Sequence, residues 1–316
     1  MSQFVKFFSQ LSAKDANVAG GKGASLGEMT RLNFPVPPGF VVLARAFDRF
    51  LEESDMGIEI ESKMHSADTQ DIHLTERVSR EIRALMREAL FPKDIGEEIK
   101  EEFARLKAKY VAVRSSATAE DSSSASWAGE LESYLNVTKK NLLEAVKNCW
   151  SSLFTPRAIF YRHEKGLHKT SVSVAVVIQK MIQSEVSGIC FTAHPVTKDR
   201  DQMVIEAGYG LGEAIVGGKI TPDTYIVHKH KGPFDVLDKN ISSQEKMTVR
   251  GVRGIEEVKV PKQKQEKQKL TENNILELAK ICQRIEGHYR YPQDIEWAYA
   301  RDKFYIVQSR PITTLG

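Results

Sequence analysis

The chain has 316 residues, with 45 Lys and Arg against 42 Asp and Glu and a formal net charge of +3. Hydrophobic residues make up 41% and charged residues 28%, which excludes a disordered, collagen-like or disulfide-stapled chain. The charge is too weak over this length to point to nucleic acid, and the length exceeds one ordinary domain, leaving room for two lobes.

The start, MSQFVKFFSQLSAKD, lacks the apolar core of a signal peptide, and no stretch approaches the roughly 20 apolar residues of a membrane span. The three cysteines, Cys149, Cys190 and Cys282, are far apart in sequence and form no CxxC, a usage that suits a reducing compartment. The expectation is a soluble cytoplasmic protein with no membrane or nucleic-acid partner.

In chain order, GGKGASLGEMTRL (20–32) reads as a glycine loop feeding a helix, with Leu26, Met29 and Leu32 at helical spacing. Three prolines, Pro35, Pro37 and Pro38, then break the helix before a strand, FVV. Residues 45–107 read as mostly helical. YVAVR (110–114) reads as a short strand entering a Ser-rich loop, and 139–162 as one amphipathic helix carrying Leu143, Val146, Trp150 and Leu153. The apolar run 171–182 predicts a buried strand, followed by further strands in VSGICFT, MVIEA and TYIVHK. The charged run 257–269 predicts a solvated loop or exposed hairpin. Thr271 is placed to cap a helix with Ile275, Leu278, Cys282 and Ile285 on one face. Two strands, DIEWAYA and FYIVQSR, close the chain around a turn at 301–303.

Four places carry candidate chemistry. Lys22 sits in Gly20-Gly21-Lys22-Gly23, which departs from the common triphosphate loop because Ala16 and Gly23 stand where Gly and Ser or Thr belong. Bare glycines and a Lys at a helix start suit a phosphate; an ordinary glycine turn gives the same string. Arg114 at a strand end suits a bidentate phosphate clamp, or a surface pair with Glu120 or Asp121. Gln179, Lys180, Met181 and Ile182 end the apolar strand, where backbone groups and apolar side chains suit a flat ring; a plain core strand has the same composition. Glu213 and Asp223 sit in glycine-rich turns, where acids also serve local hydrogen bonds.

The C-terminal hairpin gives the sharpest geometry. With a three-residue turn at 301–303, Glu296 lies opposite Gln308 and Asp294 opposite Arg310, all on one face. Ile295, Trp297, Tyr299, Tyr305 and Val307 fall on the other, apolar face. Two acids, an amide and an Arg suit Mg²⁺ and a polyphosphate; an exposed hairpin with charge pairs is the alternative. A two-residue turn would shift the register and scatter this set.

Taken in order, GGKGASLGEM, VPPGFVV, VRSSATAED, SWAGELESYLNV, SLFTPRAIFYR, IQKMIQSEVSGICFT, GLGEAIVGGKITPD, PQDIEWA and YIVQSRP resemble the N-terminal ATP-binding domain of the phosphoenolpyruvate synthase and pyruvate phosphate dikinase family, which includes rifampicin phosphotransferase. The resemblance runs from about residue 4 to about residue 314. It implies an α/β (α+β) ATP-grasp fold of mixed or antiparallel sheets flanked by helices, with lobes at 1–182 and 183–316. It implies ATP contacts from Lys22, Arg114 and Arg310, the catalytic cations, and from Thr118, Glu213 and the strand Gln179, Lys180, Met181 and Ile182. It implies metal contacts from Glu296 and Gln308, with Asp294 at a motif position. The activity it implies is transfer of phosphate from ATP to a histidine on a separate swivelling domain, then to pyruvate or an antibiotic. The family's Gly-Gly-x-Thr-Ser-His string is not in this sequence; Thr192-Ala193-His194-Pro195 lacks its glycines and serine. The expectation is an ATP- and Mg²⁺-binding module that relies on a histidine domain and a pyruvate domain supplied elsewhere. A non-catalytic nucleotide-binding remnant is the reading from a different class.

Overall fold

The computed structural model describes residues 3–67, 70–118, 127, 131–167, 172–229, 234–251 and 254–315. Most of the Ser-rich stretch, with Glu120 and Asp121, lies outside the described residues. The chain folds as two compact units, one of residues 1–31 and 38–181, the other of residues 32–37 and 182–316.

The first unit runs β1 (Val5–Phe7), α1 (Ala16–Arg31), β2 (Gly39–Val42), then four helices: α2 (Ala44–Glu53), α3 (Met56–Ser66), α4 (Ile72–Glu88) and α5 (Lys93–Leu106). β3 (Val111–Ala117), β4 (Ser133–Val137), α6 (Leu142–Ser151), α7 (Pro156–Glu164) and β5 (Val174–Lys180) complete it. Its sheet has the order β1-β2-β5-β3-β4, with every pairing antiparallel. β5 is central, which is why its apolar residues run on without alternation: both faces are covered. One face packs on a core in which Phe50 and Phe91 stack on Trp150 at 5.1 and 5.3 Å.

Three expectations are corrected in this part of the chain. Leu32 lies beyond the end of α1 and is 37% exposed, because Asn33 turns the chain away with a positive φ. The predicted helix 139–162 is two helices. Pro156 forces Thr155 to be extended, and the Thr155 hydroxyl accepts from the Ala158 N–H at 3.1 Å to start α7 afresh. Arg114 is not at a strand end: β3 continues through Ser115, Ser116 and Ala117, all buried and paired to β5.

The second unit comprises β6 (Val186–Phe191), β7 (Gln202–Tyr209), α8 (Glu213–Val216), β8 (Asp223–His228), β9 (Asp235–Asn240), β10 (Lys246–Arg250), β11 (Ile255–Lys259), α9 (Lys262–Gln265), α10 (Glu272–Tyr289), β12 (Gln293–Ala300) and β13 (Lys303–Pro311). Six strands form one antiparallel sheet in the order β13-β12-β6-β7-β8-β9, and β10 and β11 form a separate hairpin. Ile275, Leu278, Cys282 and Ile285 are fully buried, and the Thr271 hydroxyl caps α10 by accepting from Asn274. The Cys190 and Cys282 side chains meet in this core, and burial first, then that contact, holds the Cys282 thiol well above its ordinary range.

The charged run 257–269 is a hairpin strand and a short helix for most of its length, but Lys269 at its end is buried. Its ammonium lies 2.7 Å from the Asp223 carboxylate, with both side chains out of solvent. Asp223 also accepts from the backbone N–H groups of Ser242 and Lys269 at 3.0 and 2.9 Å and from the Tyr225 hydroxyl at 2.7 Å. The acid that the sequence left ambiguous is thus a structural hub, pinning both ends of the 242–269 segment to β8. Every described strand pairing is antiparallel, and helices flank the sheets, as the α/β reading expects. Among the described residues, no helix is long and apolar enough to cross a membrane.

Candidate functional site: a cationic face and an acid-amide hairpin

Each unit places some of the candidate residues on one face of its own sheet. In the first unit, α1 breaks at Gly20, whose φ of 67° and ψ of 168° leave the helical region, and the helix resumes with Lys22 in its opening turn. A cation there adds to the positive end of the helix dipole instead of offsetting it, an arrangement that an anion relieves. β3 alternates: Val111, Val113, Ser115 and Ala117 point one way, and Ala112, Arg114 and Ser116 the other. α1 seats on the second face, where the Gly23 N–H donates to the Ser116 hydroxyl at 3.3 Å.

Gln179 joins that face through its register with Ala112. It is 3% exposed, and its Nε2 has no hydrogen-bond partner among the described residues. Lys180 is exposed at the end of β5. The N–H groups of Lys180 and Met181 donate to the carbonyls of Pro38 and Tyr110 at 2.8 and 3.1 Å, and Met181 Sδ accepts from Asn136 N–H at 3.2 Å. Thr118 is tied into the fold, its N–H and hydroxyl both donating to the Ser173 carbonyl. Arg114 and Gln179 therefore share the face on which α1, the helix carrying Lys22, is seated; Thr118 is held by its neighbours, and the chain passes to the second unit at Ile182.

In the second unit the hairpin reaches the expected pairing by a different route. The turn has two residues, not three: Arg301 and Asp302 both take positive φ, 54° and 56°, and Ala300 pairs with Lys303. Trp297 then faces Ile306, and Phe304 and Ile306 take the buried positions that the sequence assigned to Tyr305 and Val307. A bulge between Glu296 and Trp297 admits Val307 as an extra residue on β13. That single residue restores Glu296 opposite Gln308 and Asp294 opposite Arg310.

The hydrogen bonds follow the register. Gln308 Nε2 donates to Glu296 Oε1 at 3.1 Å, and Arg310 donates from Nε and Nη2 to Asp294 Oδ2 at 2.9 and 2.7 Å. Glu213, by contrast, opens the short helix α8 and pairs with Lys219 at 3.7 Å on the surface.

One acid on this face was missed by the sequence motifs. Glu296 pairs across β6 with Ile189, and Ile189 with Glu206 of β7, so Glu206 shares the row and the face of Glu296 and Gln308. Its only sequence signal is an acid breaking the apolar run MVIEA. Burial first, then the Asp294 charge, holds the Glu206 carboxyl above its ordinary value of 4.5. Asp294 is raised as well, by burial, with Arg310 pulling the other way. A raised folded-state value stabilises fully below the ordinary carboxylate range and loses that contribution as pH climbs through the folded value. The metal-free protein is therefore expected to lose stability from acid to neutral pH through these groups. Glu206→Gln should flatten the decline and raise the Tm at neutral pH, as measured by thermal melts across that range; an unchanged pH profile would count against a repulsive Glu206–Asp294 pair.

The carboxylate of Glu296 and the amide oxygen of Gln308 are the hard oxygen donors that suit a divalent cation, and the Gln308 amide nitrogen is turned to Glu296. Among the described residues no three His, Cys, Asp or Glu side chains gather to hold a metal. A cation here would take part of its shell from a ligand.

Fold and site together have the character of a nucleotide-binding α/β protein, and comparison with known proteins makes the class definite. Residues 16–316 match the pyruvate phosphate dikinase, AMP/ATP-binding domain family, and the chain belongs to it. It is 44% identical to a probable phosphoenolpyruvate synthase of Methanocaldococcus jannaschii, over 99% of this chain and 27% of that protein. It is 42% identical to the phosphoenolpyruvate synthase of Pyrococcus furiosus, over 99% of this chain and 44% of the relative. It is 38% identical to the rifampicin phosphotransferase of Bacillus subtilis, over 100% of this chain and 36% of that protein. The chain thus spans less than half the length of these relatives.

Proposed function

We propose that this chain is the ATP- and Mg²⁺-binding module of a phosphoenolpyruvate synthase-like dikinase. The observation that carries the reading is the bulged hairpin, which spends an irregularity to bring Asp294, Glu296, Gln308 and Arg310 onto one face. Within an ATP-binding family, that set suits a metal-bound phosphate chain. Glu296 and Gln308 would hold Mg²⁺, which screens the phosphate oxygens. Arg310, steadied by Asp294, would neutralise phosphate charge. In the first unit, Lys22 and Arg114 suit phosphate charge, and Gln179, whose Nε2 has no partner among the described residues, suits a base, since the N–H groups of Lys180 and Met181 are already engaged. Phosphoryl transfer needs mainly such positioning and charge neutralisation.

The acceptor in this reading is a histidine on a swivelling domain, and the net reaction converts ATP, pyruvate and water into AMP, phosphoenolpyruvate and phosphate. In this reading the histidine and pyruvate domains work with this module. The similarity to rifampicin phosphotransferase supports a second acceptor class, an antibiotic, with the same donor chemistry.

ATP with Mg²⁺ at about a hundred times its Kd is expected to stabilise the protein by roughly 2.7 kcal/mol through linkage. Lys22→Ala and Arg310→Ala should shrink the Tm shift, and adding a separate histidine domain should release AMP. The absence of any ATP-dependent shift in the wild-type chain at millimolar nucleotide would overturn the reading.

A further inference from the structure

The two serines of the Arg114 strand point in opposite directions. Ser115 faces the core: its hydroxyl donates to the carbonyls of Glu132 and Cys149 at 2.9 and 3.1 Å and lies 3.0 Å from that of Ser152. It ties β3 to α6 and is accounted for by packing. Ser116, fully buried on the other face, accepts from the Gly23 N–H at 3.3 Å. The first N–H groups of a helix have no acceptor within that helix; at the restart after Gly20, Ser116 serves the Gly23 N–H from a different element.

The backbone of the turn also rests on Ser116. A Cβ on Gly20 would lie 2.2 Å from the Ser116 hydroxyl and 2.4 Å from its carbonyl oxygen, so the glycine sits directly against that residue. Lys22 lies between Gly20, which touches Ser116, and Gly23, which bonds to it. Arg114 is two residues earlier on the same strand and shares the face. One buried hydroxyl therefore connects the elements that carry the two cations of this unit.

We propose that Ser116 is a positioning residue that seats the Lys22 turn on the Arg114 strand, so that both cations address one phosphate chain. The inference rests on the ATP-binding reading above. Ser116 touches no substrate in this account; it acts through Lys22. Its contribution should therefore appear in the phosphate part of the ligand and not in the nucleoside part.

The test compares ATP and adenosine binding by calorimetry on the full chain. Ser116→Ala removes the acceptor with little change in volume. It is expected to weaken ATP binding about five- to tenfold, the size of one hydrogen bond, while adenosine affinity stays unchanged. In the Lys22→Ala background the same substitution should cost little more, because the two act as one unit. If Ser116→Ala lowers the Tm, Ser116→Cys, which keeps a weak acceptor, carries the same comparison. Equal losses for ATP and adenosine, or full additivity with Lys22→Ala, would make Ser116 merely structural and sink the proposal. Unchanged ATP affinity in the variant sinks the proposal alone. A wild-type chain that binds neither ligand sinks the ATP reading and this inference with it.

Discussion

Lys269→Ala is expected to destabilise the second unit by about 3–5 kcal/mol, the cost of breaking a buried ion pair from one side. The ammonium and the Asp223 carboxylate are both shielded from water and 2.7 Å apart. Removing the lysine leaves a buried carboxylate with only neutral donors, from Ser242 N–H, Lys269 N–H and the Tyr225 hydroxyl. The effect should spread. The same segment carries Gln244, whose amide bonds to both the N–H and the carbonyl of Tyr209, and β10, whose Thr248 carbonyl accepts from Leu211 N–H. Those bonds fix the glycine stretch leading to Glu213. Urea unfolding measures the loss, and the double variant Asp223→Asn with Lys269→Met should recover much of it, because no charge is then left unpaired. A loss under about 1 kcal/mol for Lys269→Ala would mean that water reaches Asp223.

Gly20→Ala should be nearly as damaging and more selective. The residue holds φ at 67°, where a side chain is strained, and a Cβ would sit 2.2 Å from the Ser116 hydroxyl with the Ser116 backbone just behind it. That backbone has little room to retreat, because Ser116 is fully buried and paired to β5. Strain and overpacking together are expected to cost about 2–4 kcal/mol and to displace the Lys22 turn, so the ATP-dependent Tm shift should vanish. Gly57, with open space around it inside α3, is the control: Gly57→Ala should not lower stability and should leave the nucleotide response unchanged. A Gly20→Ala protein that still responded to ATP as wild type would remove the turn from the binding site.

The sites of both substitutions show what was legible in the chain. The glycine loop at Lys22, the buried strand β5 and the capped apolar face of α10 are local or periodic features, so spacing alone exposes them. The pairing of Asp294 with Arg310 was also reached from spacing, but on a wrong turn length. Arg301 and Asp302 are uncommon choices for two positive φ values, which glycine and asparagine usually take, so nothing local marks the two-residue turn. The bulge at Val307 then corrected the register, and a bulge leaves no local signature when its flanking residues are ordinary apolar ones.

What the sequence determined by itself was the order of most of the strands, the proline break after α1, the Thr271 cap and apolar face of α10, and a set of motifs resembling one family. Composition and alternation act within a few residues, so they survive in the linear string. Tertiary structure alone decided that Lys269 belongs to the interior, that Glu206 shares a row with Glu296, and that Ser116 carries the Lys22 turn. The members of these three pairs lie 46, 90 and 94 residues apart, by subtraction of their numbers. A charge is buried, raised or harnessed by what the fold brings against it, and no spacing rule reaches that far.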